Sequence, residues 1–274
     1  MDAFKDKIAI VTGAASGIGR AVSEGLARRG ATVIAADLNE PGAEATVRSI
    51  VGSGGKAKSV RIDVTKSDEV QKLVDGVVSE NGRLDYIFNN AGIGVVGEVR
   101  DLEPDHWRKT IDVNLWGVIY GAVAAYKVMA IQGSGHIINT ASVAGLIPSP
   151  TLTPYSVTKH AVVGLSSSLR AEGAALGVKV SAVCPGLVRT GLYETIALVN
   201  TDRESLLAQI PFKPIDPPRA AQAILRGVEH NREIIIFPSN ARVLWSLSRL
   251  NRGIIQSLAR RAVAEFRKIR TGQP

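Results

Sequence analysis

Short apolar runs rich in β-branched residues alternate with longer amphipathic segments along most of the chain. This alternation is typical of βαβ units, in which helices cover both faces of a parallel sheet. The apolar runs predict seven strands, at residues 7–12, 32–36, 57–62, 84–89, 136–141, 178–183 and 233–237. The amphipathic segments predict helices at residues 18–29, 41–51, 67–80, 105–131, 154–176 and 217–230. The pattern therefore predicts an α/β fold with a doubly wound parallel sheet.

Two segments do not fit a bare doubly wound sheet: residues 186–216 and the chain after Pro238. The first follows a strand, so it lies at the carboxyl edge of the sheet, where ligands bind in such folds. Loops of this length in compact domains are mostly functional, which favours a substrate lid over an idle linker. We expect residues 1–239 to form one domain and residues 240–274 to extend it. The apolar residues of the lid are Leu187, Leu192, Tyr193, Ile196, Leu206, Leu207, Ile210 and Phe212.

The composition is that of a folded protein. Of the 274 residues, 45% are hydrophobic and 21% are charged, which excludes a disordered or collagen-like chain. The single cysteine, Cys184, excludes an intramolecular disulfide and lies in an apolar run, so a buried structural thiol is its expected role. No group of Cys and His has the spacing of a zinc site.

The net charge of +8 is concentrated at the C-terminal end. Residues 240–274 hold eight Lys and Arg against one Glu, whereas residues 1–239 hold 25 basic and 24 acidic residues. A neutral body without a recognised nucleic-acid module disfavours nucleic-acid binding.

The N-terminal residues lack the basic start and the long apolar stretch of a secretory signal. Nowhere do about 18 uncharged apolar residues run together, and the most apolar segment, residues 116–126, is followed by Lys127. We expect a cytoplasmic protein or one that is peripheral to a membrane.

The first predicted strand leads through a glycine-rich turn into a helix, in the sequence IAIVTGAASGIGR. Gly13, Gly17 and Gly19 lack a Cβ, so the backbone can approach a pyrophosphate closely. The helix that follows presents unpaired N–H groups and the positive end of its dipole. This turn, which also contains Ser16 and Ile18, therefore predicts a dinucleotide site.

Asp37 ends the second predicted strand, where such a fold places the acid that binds the ribose hydroxyls of adenosine. Its charge would repel a 2′-phosphate, and its neighbours Ser16 and Leu38 are not basic, so NAD is favoured over NADP. A solvated acid at the end of a strand is the alternative interpretation. Further cofactor-binding candidates at this sheet edge are Asp63, Val64, Asn90, Ala91 and Gly92.

Ser142, Tyr155 and Lys159 are the strongest candidates for chemistry. Tyr155 and Lys159 are four residues apart on a predicted helix, so they share one face. A phenol, with an ordinary pKa of about 10, is a poor acid or base at neutral pH unless its anion is stabilised. The ammonium of Lys159 would lower the pKa of Tyr155, and Ser142 would donate a hydrogen bond to the oxygen that gains charge. A solvated helix face is the alternative interpretation of this pair.

These motifs together resemble the short-chain dehydrogenase/reductase family. The resemblance covers residues 5–238 and implies a Rossmann fold with a seven-stranded parallel sheet. The motifs that carry it are TGAASGIG at residues 12–19, NNAG at 89–92, Asn114, Ser142, YSVTK at 155–159 and PGLVRT at 185–190.

The resemblance also implies site residues and partners. It implies a catalytic tetrad of Asn114, Ser142, Tyr155 and Lys159, in which Asn114 holds a relay water near Lys159. The implied cofactor contacts around the nicotinamide are Pro185, Gly186, Val188 and Thr190. The family forms dimers and tetramers through its two long central helices, here residues 105–131 and 154–176. The family's commonest short form ends in a VDGG-like strand ending, whereas this chain reads REIIIFPSNARV and continues. This departure puts the tetramer contact made by a short C-terminus in doubt.

The C-terminal extension has an apolar stripe at near-helical spacing and arginines over much of its other face. Docking on the body or on a partner subunit is favoured over lying on an anionic membrane, and both are favoured over nucleic-acid binding. Gly253 is the predicted break in the helix. The stripe consists of Leu247, Leu250, Ile254, Leu258, Phe266 and Ile269, with Ile255 beside it.

The sequence therefore predicts an NAD-dependent oxidoreductase that interconverts a hydrophobic secondary alcohol and its ketone by hydride transfer, with Tyr155 as general acid and base. The alternative is a dinucleotide-binding regulator or scaffold without turnover, against which the intact tetrad argues. The residues expected to line the substrate pocket beside the lid are Val143, Leu146, Leu152 and Leu187. The residues expected to have only structural roles are Trp107, Trp116, His106, His136, His160 and His230.

Overall fold

The structure, a computed structural model, describes residues 2–209 and 213–271, without the side chains of residues 192 and 193. Within these residues the strands are β1 (Ile8–Thr12), β2 (Thr32–Asp37), β3 (Lys56–Arg61), β4 (Tyr86–Asn89), β5 (Val95–Val96), β6 (Gly135–Thr140), β7 (Val178–Pro185), β8 (Ala197–Leu198) and β9 (Ile234–Phe237). The helices are α1 (Gly17–Arg28), α2 (Glu40–Gly52), α3 (Ser67–Asn81), α4 (Pro104–Ile111), α5 (Gly117–Gln132), α6 (Thr153–Gly173), α7 (Leu192–Thr195), α8 (Arg203–Ala208), α9 (Pro217–Glu229), α10 (Ser239–Leu250) and α11 (Arg252–Ile269).

Seven parallel strands form the central sheet in the order β3-β2-β1-β4-β6-β7-β9. The chain builds the sheet outward from β1 to β3, then returns to β4 beside β1 and builds outward in the other direction. The predicted α/β fold class, with its doubly wound parallel sheet, is confirmed. In such a sheet the crevice between β1 and β4, at the carboxyl ends of the strands, is where ligands bind.

The central strands are apolar throughout because helices cover both faces of the sheet. Side chains of a strand alternate between the two faces, so neighbours in β1 enter different cores. Ala9 and Val11 pack with Leu26 of α1 and Ile224 of α9, whereas Ile10 packs with α3 and α5 on the other face. Both cores are fully buried at these strand positions, which holds the ends of β1 and β4 rigid beneath the crevice.

The helix predicted at residues 105–131 is interrupted. A single π-helical turn at Asp112–Trp116 joins α4 to α5, and sequence periodicity does not reveal such a turn. By length and composition alone, Pro104–Gln132 could cross a membrane. Nearly half of its most apolar part is buried in the protein, and Ala125 and Met129 pack on the sheet, which is the arrangement of a core helix.

The outer faces of α5 and α6 expose apolar side chains, among them Val123 and Val157. Trp116, in the π turn before α5, is 45% exposed rather than packed as predicted, and it stacks on Tyr120 with 5.6 Å between ring centroids. These are the helices through which the resemblance implies subunit contacts. The dimer or tetramer stays a prediction.

The predicted lid, residues 186–216, is not a bare loop, because it contains α7, β8 and α8. β8 pairs in parallel with β5, the two-residue strand that follows β4. This ribbon ties the lid to the loop that carries the NNAG motif. The predicted lid side chains that lie outside the described residues are Leu192, Tyr193, Ile210 and Phe212.

The C-terminal extension packs against the body. Phe266 of α11 is buried, and Arg267 and Arg270 form ion pairs with Glu98 and Asp101, each at 2.7 Å. These contacts hold α11 beside the loop after β5, which is the docking on the body that the sequence favours.

Candidate active site

A cavity of about 1080 Å³ lies at the carboxyl edge of the sheet. All of the predicted site residues line it except Gly19 and Asn114. The fold therefore gathers at one place residues that are scattered over most of the chain. Those that line the cavity are Gly13, Ser16, Gly17, Ile18, Asp37, Leu38, Asp63, Val64, Asn90, Ala91, Gly92, Ser142, Tyr155, Lys159, Pro185, Gly186, Val188 and Thr190.

The turn between β1 and α1 depends on glycine for both conformation and space. Gly13 has a φ of +67°, and a Cβ there would stand 2.9 Å from Cα of Ala91. A Cβ at Gly19 would stand only 2.0 Å from the carbonyl oxygen of Gly13. Gly19 therefore lies beneath the turn and allows it to pack, whereas the prediction gave it a cofactor contact.

Asn90 braces the same turn from the neighbouring strand. Its N–H and that of Ala91 donate to Oγ1 of Thr12 at 2.9 and 3.1 Å, and its side-chain Nδ2 donates to the carbonyl oxygen of Thr12 at 3.1 Å. Thr12 is buried, and although it begins the TGAASGIG motif, no role of its own was predicted for it from the sequence. A threonine that ends an apolar strand directly before a glycine turn is the signal that could have found it.

Asp37 presents a fixed carboxylate to the cavity. Its Oδ2 accepts the N–H of Ala15 at 2.9 Å, and its Oδ1 accepts the N–H of Asn39 at 2.8 Å. Each oxygen keeps a further lone pair, so the group can accept hydrogen bonds from a pair of hydroxyls and would repel a phosphate. Asp63 is fixed in a similar way, because its Oδ1 accepts the N–H and the hydroxyl of Thr65 at 2.9 and 2.7 Å.

Tyr155 and Lys159 lie one turn apart on α6 and both line the cavity. Nζ of Lys159 donates to the carbonyl oxygen of Thr140 at 2.7 Å and stands 5.4 Å from the centroid of the Tyr155 ring. Ser142 follows β6, and its Oγ accepts the N–H of Ala144 at 3.1 Å, donates to the carbonyl oxygen of Pro185 at 3.4 Å and interacts with Tyr155. A phenol, a hydroxyl and an ammonium therefore meet at one wall of the cavity.

Burial controls the protonation of this group. Desolvation raises the pKa of Tyr155, and the hydrogen bond with Ser142 opposes that rise only in part. Desolvation also lowers the pKa of Lys159 to about 8. The sequence predicts that Lys159 lowers the pKa of Tyr155, whereas the pKa of Tyr155 in the structure is raised above its ordinary value. The reason is that desolvation of Tyr155 outweighs the hydrogen bond with Ser142, while the ammonium of Lys159 is directed at the carbonyl group of Thr140.

Asn114 lies in the π turn, fully buried behind the cavity wall. Its Oδ1 accepts the N–H of Ile93 and its Nδ2 donates to the carbonyl oxygen of Ile93, both at 2.8 Å. A Cβ at Gly92 would stand 3.2 Å from Oδ1 of Asn114 and 3.7 Å from Nζ of Lys159, so the two side chains approach each other there. Asn114 thus clamps the loop after β4, and the relay water implied by the resemblance stays a prediction.

The other half of the cavity is mostly apolar. Of the residues predicted to line a substrate pocket, Leu146 lies instead on a smaller cavity beside Trp245. The predicted residues that do line it are Val143, Leu152, Leu187, Ile196, Leu206 and Leu207. Arg203 and helix α10 also line the cavity, which no sequence pattern predicted; the lining residues of α10 include Val243, Leu244 and Leu247.

Two further titratable groups are deeply buried outside the cavity wall. Burial raises the pKa of the Cys184 thiol to about 12, so the thiol is inert at neutral pH. Burial lowers the pKa of His136 to about 3, and its neutral ring lies 2.8 Å from Oγ of Ser181. Both groups pack within the sheet. In the part of the chain that the structure describes, no group of three or more His, Cys, Asp or Glu could hold a metal ion.

Comparison with known families agrees with this geometry. Residues 7–199, well over half of the chain, match the family model of short chain dehydrogenases. The chain belongs to the short-chain dehydrogenase/reductase family. It is therefore an oxidoreductase that acts on CH–OH groups with a nicotinamide dinucleotide, NAD or NADP.

Several relatives cover most of the chain. The oxidoreductase SadH of Mycobacterium tuberculosis is 32% identical over 271 residues, which span 97% of this chain and 98% of SadH. Cyclohexanol dehydrogenase of an Acinetobacter species is 38% identical over 190 residues, which span 69% of this chain and 76% of the enzyme. A crystal structure of a short-chain dehydrogenase/reductase from Burkholderia phymatum, in complex with NAD, superimposes with a TM-score of 0.85 at 27% identity. It covers 100% of this chain and 99% of its own, so the similarity includes α10 and α11.

Proposed function

We propose that the protein oxidises a hydrophobic secondary alcohol to its ketone with NAD, or carries out the reverse reduction. One observation carries this proposal. Ser142, Tyr155 and Lys159 converge on a cavity that is also lined, at its cofactor end, by a glycine turn and by the carboxylate of Asp37. The turn and the carboxylate fit a dinucleotide, which when bound supplies the position that accepts or releases hydride. The remaining chemistry falls to the residues of this chain.

Tyr155 moves the proton in this proposal. In oxidation, the C–H bond of the carbinol carbon breaks and hydride leaves with the electron pair, while the hydroxyl proton passes to the phenolate oxygen of Tyr155, which becomes the phenol, and the C=O bond forms. Ser142 holds the substrate oxygen by a hydrogen bond, and Lys159 holds its ammonium beside the ring. Asn114 positions the loop after β4 through its two hydrogen bonds to Ile93. A regulator without turnover would have no use for this arrangement, which disfavours that alternative.

The substrate class follows from the walls of the cavity. Val143 and Leu152 flank the Ser142 and Tyr155 region, while Ile196 and Leu206 come from the lid and Leu247 from α10. Such walls favour a hydrophobic alcohol or ketone. One relative is named cyclohexanol dehydrogenase, and cyclohexanol is a hydrophobic secondary alcohol. This name supports the same substrate class.

The dinucleotide is proposed to be NAD because of Asp37. We expect calorimetric titration to give an affinity for NADH that exceeds the affinity for NADPH by roughly 100-fold, since a 2′-phosphate would face a fixed carboxylate. The Asp37→Asn variant is the matched control, because it keeps an oxygen for the N–H of Ala15 and removes the charge. This variant should reduce the difference between the affinities for NADH and NADPH, mainly by raising the affinity for NADPH. A preference for NADPH in the wild type, or an unchanged gap in the variant, would contradict the role given to Asp37.

The mouth of the cavity continues into an exposed apolar strip. Val243 and Leu247 of α10 line the cavity and are 57% and 39% exposed. The strip continues along α10 and α11 through Leu250, Ile254 and Leu258, all of which are exposed. Phe266 and Ile255 of α11 are buried against the body, whereas the residues of this strip stay exposed to solvent.

We infer that this strip rests on an anionic lipid surface. Exposed arginines surround it, and none of them has an ion-pair partner among residues 2–209 and 213–271: Arg249, Arg252, Arg260 and Arg261. A basic helix with an exposed apolar face suits anionic lipid headgroups. A second copy of the same strip would instead bring arginines together, which disfavours pairing between two copies.

Sedimentation with vesicles tests the lipid contact. We expect vesicles containing anionic phospholipid to retain the wild type and to bind the double variant Leu250→Glu, Leu258→Glu at least about ten-fold more weakly, because acids in the strip repel the headgroups. Ile131→Glu is the matched control, since Ile131 is 91% exposed at the opposite edge of the sheet, and it should bind like the wild type. Equal retention of all three proteins by the vesicles, or no retention of the wild type, would contradict the proposed lipid contact.

A further inference from the structure

Arg203 is a cation in an otherwise apolar part of the cavity. It begins α8 in the lid and lines the cavity together with Ile196, Leu206 and Leu207. Its Nη2 donates to the carbonyl oxygen of Ile196 at 3.4 Å, which is at the long end of the hydrogen-bond range. Its Nη1 is buried and has no hydrogen-bond partner among the described residues.

A buried guanidinium N–H without an acceptor calls for an explanation, because most buried polar groups in proteins are hydrogen-bonded. Three side-chain atoms in the described chain share this condition, and two of them, Oγ1 of Thr201 and Nη1 of Arg203, lie in the turn that enters α8. The two adjacent acidic residues do not accept hydrogen bonds from Arg203. Asp202 caps α8 by accepting the N–H of Ser205 at 2.9 Å, and Glu204 is exposed to solvent. Within the described residues, Arg203 forms no ion pair.

Arg203 lines the same cavity as Tyr155 and is linked to it by packing. It bonds to the backbone of Ile196, and the Ile196 side chain packs against the loop after β4 at Gly94. A Cβ at Gly94 would stand 2.9 Å from Cδ1 of Ile196 and 3.9 Å from Cδ2 of Tyr155. A series of contacts therefore runs from Arg203 through Ile196 and Gly94 to the Tyr155 ring.

We propose that Arg203 binds a carboxylate carried by the substrate, so that the substrates are hydroxy acids or oxo acids with a hydrocarbon chain between the acid and the reacting carbon. A guanidinium forms paired, charge-assisted hydrogen bonds with a carboxylate, and a substrate carboxylate would supply the acceptor that Nη1 lacks. The apolar lid residues beside it fit the hydrocarbon. This inference rests on the proposed alcohol oxidation for its reaction, in which the secondary alcohol loses hydride and a proton to become the ketone.

Binding of unreactive carboxylates tests the assignment without any turnover. Calorimetry would compare wild type and Arg203→Met with a chain-length series of alkanoates and with primary alkanols of the same lengths. We expect the best alkanoate to bind about 10- to 100-fold more weakly to Arg203→Met, because the charged hydrogen bonds are lost, and the alkanols to bind both proteins alike. Arg189→Met is the matched control, since Arg189 is exposed and pairs with Asp216, and it should leave alkanoate binding unchanged.

Kinetics then separate this inference from the proposed function. With hydroxyalkanoic acids whose secondary hydroxyl is next to the terminal methyl, Arg203→Met should raise KM by about 10- to 100-fold and leave kcat within about two-fold. The corresponding 2-alkanols should be oxidised equally by both proteins. If alkanols are oxidised but carboxylates bind both proteins equally, or bind neither, the role of Arg203 is refuted while the dehydrogenase function stands. If alkanoates bind through Arg203 but no alcohol is oxidised, the proposed function fails and the carboxylate site remains.

Discussion

Replacing Tyr155 with phenylalanine is expected to lower kcat for a secondary alcohol such as cyclohexanol by about 10²- to 10⁴-fold and to leave NADH affinity within about two-fold of the wild type. The variant loses the oxygen that exchanges the proton. The ring keeps its contacts, because Lys159 lies 5.4 Å from its centroid and the loop at Gly94 packs on its edge. Steady-state kinetics and calorimetry on the same preparation separate loss of chemistry from loss of binding. Unchanged turnover would contradict the role assigned to Tyr155.

The pH profile of the wild type checks the same role. Burial raises the pKa of Tyr155 above its ordinary value of 10.0, so the phenol is protonated at neutral pH. Oxidation needs the phenolate as base, and we therefore expect kcat/KM for the alcohol to rise through the alkaline range. Reduction needs the phenol as acid, so kcat/KM for the ketone should be highest at neutral pH and fall as pH rises. A profile for oxidation that falls with rising pH would be inconsistent with Tyr155 as the base.

The sheet and most of the cavity could be predicted because their signals are local in the sequence. Runs such as Ile8–Thr12 are apolar at consecutive positions, since helices cover both faces of the sheet, and no surface strand of this type would show that pattern. The topology then carries the ends of the strands to one edge. For this reason Gly13, Asp37 and Tyr155, identified from separate motifs, line one cavity.

The predictions that differ from the structure concern three-dimensional packing that no short pattern records. Gly19 belongs to a recognised motif but lies behind the cavity wall beneath the turn, whereas Asn114 is buried there and its implied catalytic role stays a prediction. The break between α10 and α11 is at Asn251, whose side chain accepts the N–H groups of Gly253 and Ile254 and so begins α11, rather than at Gly253 itself. The role of Arg203 could not be predicted from the sequence, because the sequence does not distinguish an arginine that lines a cavity from one that is exposed to solvent.

The apolar stripe of the C-terminal extension shows the same limit. Its period predicts one face that packs, but the break at Asn251 turns α11 so that Ile255 and Phe266 face the body. Leu250 and Leu258 are left on the outside. A helical period identifies residues that share a face of a helix, whereas the angle between two helices decides which face meets the protein.

The Lys159→Met variant is expected to be inactive and more stable than the wild type at pH 7. Lys159 is buried, and its pKa falls from 10.5 to about 8, which corresponds to about 3 kcal/mol of destabilisation when the folded protein must keep the charge. Methionine has a similar length and no charge, but it leaves the carbonyl group of Thr140 without its donor, at a cost of about 1–2 kcal/mol. A net gain of about 1–2 kcal/mol should raise the Tm by roughly 2–8 °C. Turnover should fall by at least about 10²-fold, because methionine removes the nitrogen that is anchored beside Tyr155 and can donate hydrogen bonds in either protonation state.

The dependence of this gain on pH distinguishes desolvation of a charge from a general packing effect. The pKa of Lys159 is lower in the folded state than in the unfolded state, so its destabilisation is complete below about pH 8 and disappears as pH rises from about 8 to 10.5. The Tm advantage of Lys159→Met should therefore shrink across that window and then reverse, because only the lost hydrogen bond to Thr140 remains. Lys179→Met, at an exposed position of β7, should change the Tm little at any pH. A Lys159→Met variant that is less stable at pH 7, or whose advantage does not change with pH, would show that the ammonium is accommodated without strain in the folded protein.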